Sequence, residues 1–166
     1  MIRWKLRAAF AALCLFSPPF TVGAQRVSGD KTVLFVCEHG TVKSLLAKIL
    51  VDEYARQSGL RMQAVSRGTH VDSVTPDWMV QALAKDHVNL GAWHPQGLRA
   101  EDLATAAFVV SFDVPREATA GTHAPRSQWD SVPSVTQNFE RGREAIKARV
   151  HQLVDSLKRS ENVGRP

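Results

Sequence analysis

Cysteine is nearly absent: two residues, Cys14 and Cys37, in a chain of 166. That excludes a disulfide-stapled scaffold and a cysteine-rich zinc site. Tyrosine occurs once, and aromatic residues make up only 7%. No internal repeat and no low-complexity tract is present. No Gly-x-Ser-x-Gly element and no dinucleotide-binding fingerprint occurs, which removes two common enzyme classes. His70, His87, His94, His123 and His151 are scattered without metal-ligand spacing, so no metal and no cofactor is expected. What is present is ordinary for a globular protein: 44% hydrophobic and 22% charged residues, in a length that fits one domain.

The formal charge of +5 hints at an anionic partner. Much of it sits in the first 24 residues. Arg3, Lys5 and Arg7 precede the uncharged run Ala8 to Phe16, then Ser17-Pro18-Pro19, then Val22-Gly23-Ala24. A charged start, a short apolar core and a small-residue cleavage site read as an export signal. The core is shorter than the roughly 20 residues that span a membrane. Cleavage after Ala24 removes three cations, so +5 becomes +2, and it leaves Cys37 as the sole cysteine. The expected product is periplasmic or secreted, with no membrane attachment after cleavage and no nucleic-acid partner. Residues 1–24 are thus a signal peptide, 25–30 a linker, 31–158 the domain and 159–166 a C-terminal tail.

Within the domain, Val33 to Val36 is a wholly apolar run, as in a strand buried on both faces. From Ser44 the period becomes helical through Leu45, Leu46, Ile49, Leu50 and Tyr54, and Gly59 supplies a stop. Met62 to Val65 is a weaker strand. Thr75-Pro76 reads as an N-cap and a first-turn proline. Leu98 to Leu103 allows a short helix, and Phe108 to Phe112 is a further strand. Val114 to Gln137 reads as loop with one short strand at 127–130. Ser134 and Gln137 have capping-box spacing before a helix marked by Phe139, Ile146, Val150, Leu153 and Leu157. Alternating strands and helices imply an α/β fold with a parallel sheet.

The chemistry concentrates in Cys37-Glu38-His39-Gly40-Thr41-Val42-Lys43-Ser44, between the buried strand and the first helix. A loop there aims backbone N–H groups and the positive helix end at one point, which suits a tetrahedral oxyanion. The same field lowers the pKa of a cysteine thiol. A thiolate beside an anion cradle is the layout for attack on a phosphoryl group. Ser44 is placed to donate to the thiolate, and Gly40 lets the backbone bend around the ligand. Glu38, His39, Gly40, Thr41, Val42, Lys43 and Ser44 are the candidate binding residues, and a phosphorylated or oxyanion substrate is the expected partner. Asp113 lies where a strand meets a loop, a position open equally to a site role and to a turn.

These residues resemble the low-molecular-weight protein tyrosine phosphatase family and its thioredoxin-linked arsenate reductase relatives. In that family a strand leads into Cys, five residues, Arg and then Ser or Thr. Here the strand leads into Cys37, five residues, Lys43 and Ser44. Ser66-Arg67-Gly68-Thr69 is similar to the family's Ser-Ala-Gly-Thr, and Phe108 to Asp113 looks like its third strand. Asn89 to His94 looks like its second-helix exit, and Gln128-Trp129-Asp130 precedes a matching last helix. The resemblance implies a four-stranded parallel sheet flanked by helices. It also implies phosphomonoester hydrolysis, with Cys37 as nucleophile and Lys43 on the oxyanion.

Two departures bear on activity. Lysine is a point charge where arginine grips two oxygens. The family's Asp-Pro acid is missing near Pro133-Ser134-Val135, and Asp130 is the candidate replacement. The alternatives are an arsenate reductase, which needs a thiol from elsewhere, and a non-catalytic oxyanion-binding module.

Overall fold

The computed structural model describes residues 31–163. The expected signal peptide and linker lie outside the described residues. The strands are β1 (Lys31–Cys37), β2 (Met62–Gly68), β3 (Phe108–Ser111) and β4 (Arg126–Gln128). The helices are α1 (Lys43–Gln57), α2 (Asp77–Lys85), α3 (Ala100–Thr105) and α4 (Phe139–Val163). A short 3-10 turn covers Arg116–Thr119. The sheet order is β2-β1-β3-β4, and every pairing is parallel. The expected fold class, a four-stranded parallel sheet flanked by helices, is the one observed.

β1 is central and apolar because both its faces are covered. Alternation sends Val33, Phe35 and Cys37 to the α1/α2/α4 side, and Leu34 and Val36 to the α3 side. On the larger side Phe35, Phe112 and Trp129 form an aromatic trio with ring centroids 5.5–6.2 Å apart. The Arg149 guanidinium lies 5.7 Å from the Trp129 ring centre, so a polar residue of α4 closes this edge of the core. On the smaller side Arg67 holds Asp102 with two hydrogen bonds, of 2.7 and 2.8 Å. Burial pushes the Asp102 carboxyl up, but the Arg67 hydrogen bonds and the Arg99 backbone N–H outweigh it and hold it below the usual carboxylate range. This pair fastens α3 to β2.

Several boundaries differ from expectation, each for a local reason. β2 runs on through polar Ser66 and Arg67 to Gly68, because its ladder with β1 continues to Cys37↔Gly68. α2 begins at Asp77 without a side-chain cap, since Pro76 keeps an extended ψ of 138° and Thr75 is left outside the helix. Ser134 accepts from the Gln137 N–H, but only in a turn ahead of the helix. Asn138 caps α4 instead, its Oδ1 accepting from the Arg141 N–H at 2.9 Å. α4 itself continues past 158 to Val163, through the expected domain boundary.

Candidate active site

The chain order places β2 on one side of β1 and β3 on the other. The crevice beyond the C-terminal ends of β1 and β3 is therefore the switch point of the sheet, where α/β folds bind ligands. A cavity of about 190 Å³ opens there. Cys37 lies at its base, with Glu38, His39, Val42 and Lys43 from the loop and Phe112 and Asp113 from the exit of β3. Ser134, Val135 and Thr136 complete the wall.

The loop's direction is set by hydrogen bonds on its outer side. The Cys37, Glu38 and His39 carbonyls accept from the N–H groups of Thr69, His70 and Asp72, at 3.1, 2.8 and 3.2 Å. The Gly40 carbonyl accepts from the Ser66 hydroxyl at 2.9 Å. Four successive carbonyls are thus turned toward the end of β2 and the segment after it. The amides of His39, Thr41 and Val42 find no acceptor among the described residues. The first-turn amides of α1 add to them, because a helix start leaves such groups without intrahelical partners. The Gly40 N–H points inward and donates to Cys37 Sγ at 3.2 Å. Asp72 braces the same loop: its carboxylate accepts from the Thr41 hydroxyl at 3.1 Å and lies 3.1 Å from His39 Nδ1.

Cys37 is 7% exposed and free. Its Sγ lies 2.9 Å from Ser44 Oγ, and Ser44 Oγ lies 2.8 Å from Ser66 Oγ. Each serine carries one hydroxyl proton. With a neutral thiol the chain Cys37 to Ser44 to Ser66 to the Gly40 carbonyl satisfies every acceptor. With a thiolate, Ser44 donates to sulfur and Ser66 turns to Ser44. Ionisation is thereby tied to the orientation of both hydroxyls.

Lys43 forms an ion pair with Asp113, and its Nζ also approaches the Val132 carbonyl at 3.4 Å. The loop's cation is therefore shared with a carboxylate on the opposite wall. Asp113 has a left-handed backbone, φ 50°, and its N–H donates to Asp130 Oδ1 at 3.0 Å. Asp130, the expected replacement acid, is exposed and does not line this cavity, whereas Asp113, left open by the sequence between a site role and a turn, lines it with Cys37 and Lys43. Asp130 steadies the turn that presents Asp113.

Of the other expected binding residues, Glu38, His39 and Val42 line the cavity with Cys37 and Lys43. Thr41 and Ser44 are fully buried and serve the loop rather than its mouth. Gly40 contributes its N–H and a φ of 75°. Asp72 escaped sequence reasoning, since a contact 31 residues away leaves no local signal.

Comparison with known proteins fits this geometry. Fold similarity extends to YfkJ from Bacillus subtilis, 20% identical with a TM-score of 0.69, over 81% of this chain and 98% of that one. A thioredoxin-dependent arsenate reductase from Corynebacterium glutamicum is 23% identical with a TM-score of 0.62, over 81% of this chain and 65% of that one. A low molecular weight phosphotyrosine phosphatase from Vibrio cholerae is 23% identical with a TM-score of 0.62, over 77% of this chain and 97% of that one. No curated protein matches. Residues 32–128, which carry β1, the cysteine loop and the rest of the sheet, match the family profile described as low molecular weight phosphotyrosine protein phosphatase. With that match spanning more than half of its length, the chain belongs to the low molecular weight phosphotyrosine protein phosphatase family.

Proposed function

We propose that this protein is an exported phosphomonoester hydrolase acting through Cys37. The observation that carries the reading is the environment of the sulfur: Ser44 Oγ at 2.9 Å and the Gly40 N–H at 3.2 Å, inside a loop whose His39, Thr41 and Val42 amides find no acceptor among the described residues. The thiolate attacks phosphorus, an S–P bond forms and the ester P–O bond breaks. Water then attacks the cysteinyl phosphate, releasing inorganic phosphate and restoring the thiolate. Loop amides and Lys43 hold the phosphoryl oxygens while charge builds on them.

Protonation of the leaving oxygen is the weak step. Asp113 faces the cavity but is engaged by Lys43. Leaving groups that depart as stable anions need no poised acid, so aryl phosphates are expected to turn over and alkyl phosphates to lag by roughly 10²-fold or more. The test is turnover of p-nitrophenyl phosphate against an alkyl phosphate by the mature protein, alongside Lys43→Arg. A guanidinium restores the two-oxygen grip and is expected to raise kcat/KM by roughly ten- to a hundredfold. Equal rates on both esters would overturn the leaving-group argument.

The Lys43–Asp113 pair favours a second reading, an oxyanion-binding module, because the pair neutralises the loop's own cation. Phosphate binding by calorimetry without turnover would establish it. Thiol-dependent arsenate reduction without phosphatase turnover would instead assign a reductase. Export rests on the pattern of residues 1–24. A mature chain beginning at Gln25 is expected in the periplasmic or secreted fraction, and one beginning at Met1 there would refute cleavage.

A further inference from the structure

On the α3 side of the sheet, away from Cys37, a second cavity of about 270 Å³ lies over β3 and β4. Its walls are Ser111, Arg116, Thr119, Arg126, Ser127 and Gln128. That volume is several times the ~30 Å³ share of one water. No carboxylate among the described residues lines it: Glu117 stays outside, and Asp113 faces Lys43.

The register explains why polar groups gather here. In-register residues of parallel strands share a face, so Val109 and Ser111 stand beside Arg126 and Gln128. Over β1 and the start of β3, α3 covers this face with apolar contacts. Over β4 the face carries a guanidinium and a carboxamide instead. Ser111 is only 5% exposed, yet its hydroxyl has no partner among the described residues and opens into the cavity. The Arg116 guanidinium makes no ion pair or hydrogen bond among the described residues. Among the described residues that of Arg126 has only the Thr119 carbonyl, at 3.2 Å. Gln128 Nε2 donates to the Val114 carbonyl at 3.3 Å.

We infer that this cavity is a second oxyanion site, one that takes a phosphate group. Two guanidiniums without carboxylate partners match a doubly charged, multi-acceptor ligand, and the buried Ser111 hydroxyl supplies a further donor at the floor. The inference is independent of any chemistry at Cys37.

The test is an NMR titration of the isotope-labelled mature protein with inorganic phosphate, and separately with O-phosphoserine. Signals of the Arg116 and Arg126 side chains and of amides 116–119 and 126–128 are followed apart from those of the loop, 38–44. Two saturable responses with separate midpoints are expected. Tighter binding of phosphate identifies the free anion as ligand, and tighter binding of phosphoserine identifies an esterified phosphoryl group. Arg116→Ala with Arg126→Ala is expected to weaken the second response about tenfold or more while leaving that of the loop in place. Should the double variant fail to fold, Arg116→Ala alone and Ser111→Ala decide, since neither removes a side-chain bond present in the structure. The site is refuted if residues 111–128 stay unshifted with both ligands, or if the shifts persist unchanged in the variants.

Discussion

Cys37→Ser is expected to abolish p-nitrophenyl phosphate turnover, lowering kcat by about 10⁴-fold or more while the fold survives. The magnitude follows from the proposed mechanism, in which this sulfur forms the covalent bond, since losing a nucleophile leaves only binding and oxyanion contributions. Survival of the fold follows from the surroundings. A serine hydroxyl at this position keeps the Ser44 Oγ partner and the Gly40 N–H. The urea midpoint is expected to move little, because no buried polar group is orphaned. Phosphate affinity of the loop is expected to stay within about threefold, since the amides and Lys43 are untouched. Rate and binding thus separate in one variant. Retention of more than about 1% of the turnover would show that the thiolate is not the nucleophile.

The parts of this fold visible in the sequence are those governed by local pattern. Val33 to Val36 announces a doubly buried strand because four apolar side chains in a row leave no solvent face. Ile146, Val150 and Leu153 mark the buried face of α4 because a helix repeats every 3.6 residues. The cysteine loop is legible because its residues are contiguous. The segment opposite it is not. Ser66 matches a family motif, but its task of holding the Gly40 carbonyl and Ser44 exists only once β2 lies beside β1. Asp113 and Asp130 show the same limit. The family analogy points to the loop before the last helix and hence to Asp130. Which carboxylate enters the cavity is decided by the left-handed turn after β3, and that turn is fixed by Asp130 itself, 17 residues on. Asp113 and Lys43 are 70 residues apart, and only parallel pairing of β1 with β3 brings them together.

Gly40→Ala is expected to destabilise the protein by about 2–5 kcal/mol and to lower turnover roughly 10²- to 10³-fold. Two terms add in the stability. Gly40 sits at φ 75°, where an L-residue costs about 1–2 kcal/mol. A Cβ there would also stand 2.8 Å from the Gly68 nitrogen and 3.2 Å from the Arg67 carbonyl carbon. Both neighbours are backbone, so no side chain swings aside, and overpacking of this kind costs about 1–3 kcal/mol. β2 cannot yield freely, because the Gly68 N–H donates to the Gln96 carbonyl and its own carbonyl accepts from Leu98, both at 2.9 Å. The loop must move instead. That withdraws the Gly40 N–H from Cys37 Sγ and its carbonyl from Ser66, and the lost donor to the sulfur together with the shifted loop amides accounts for the loss of rate. Two further variants separate the terms. Gly68→Ala meets the His39 carbonyl carbon at 2.8 Å without a left-handed backbone, so it carries the contact term alone. Gly59 has φ 63° and open space around it, so Gly59→Ala carries only the backbone term and leaves turnover unchanged. Urea denaturation and steady-state kinetics on the three variants are expected to rank the stability loss as Gly40, then Gly68, then Gly59, with activity falling only in the first two. If Gly40→Ala behaved like Gly59→Ala, the close approach of loop and strand would not be what shapes the anion cradle.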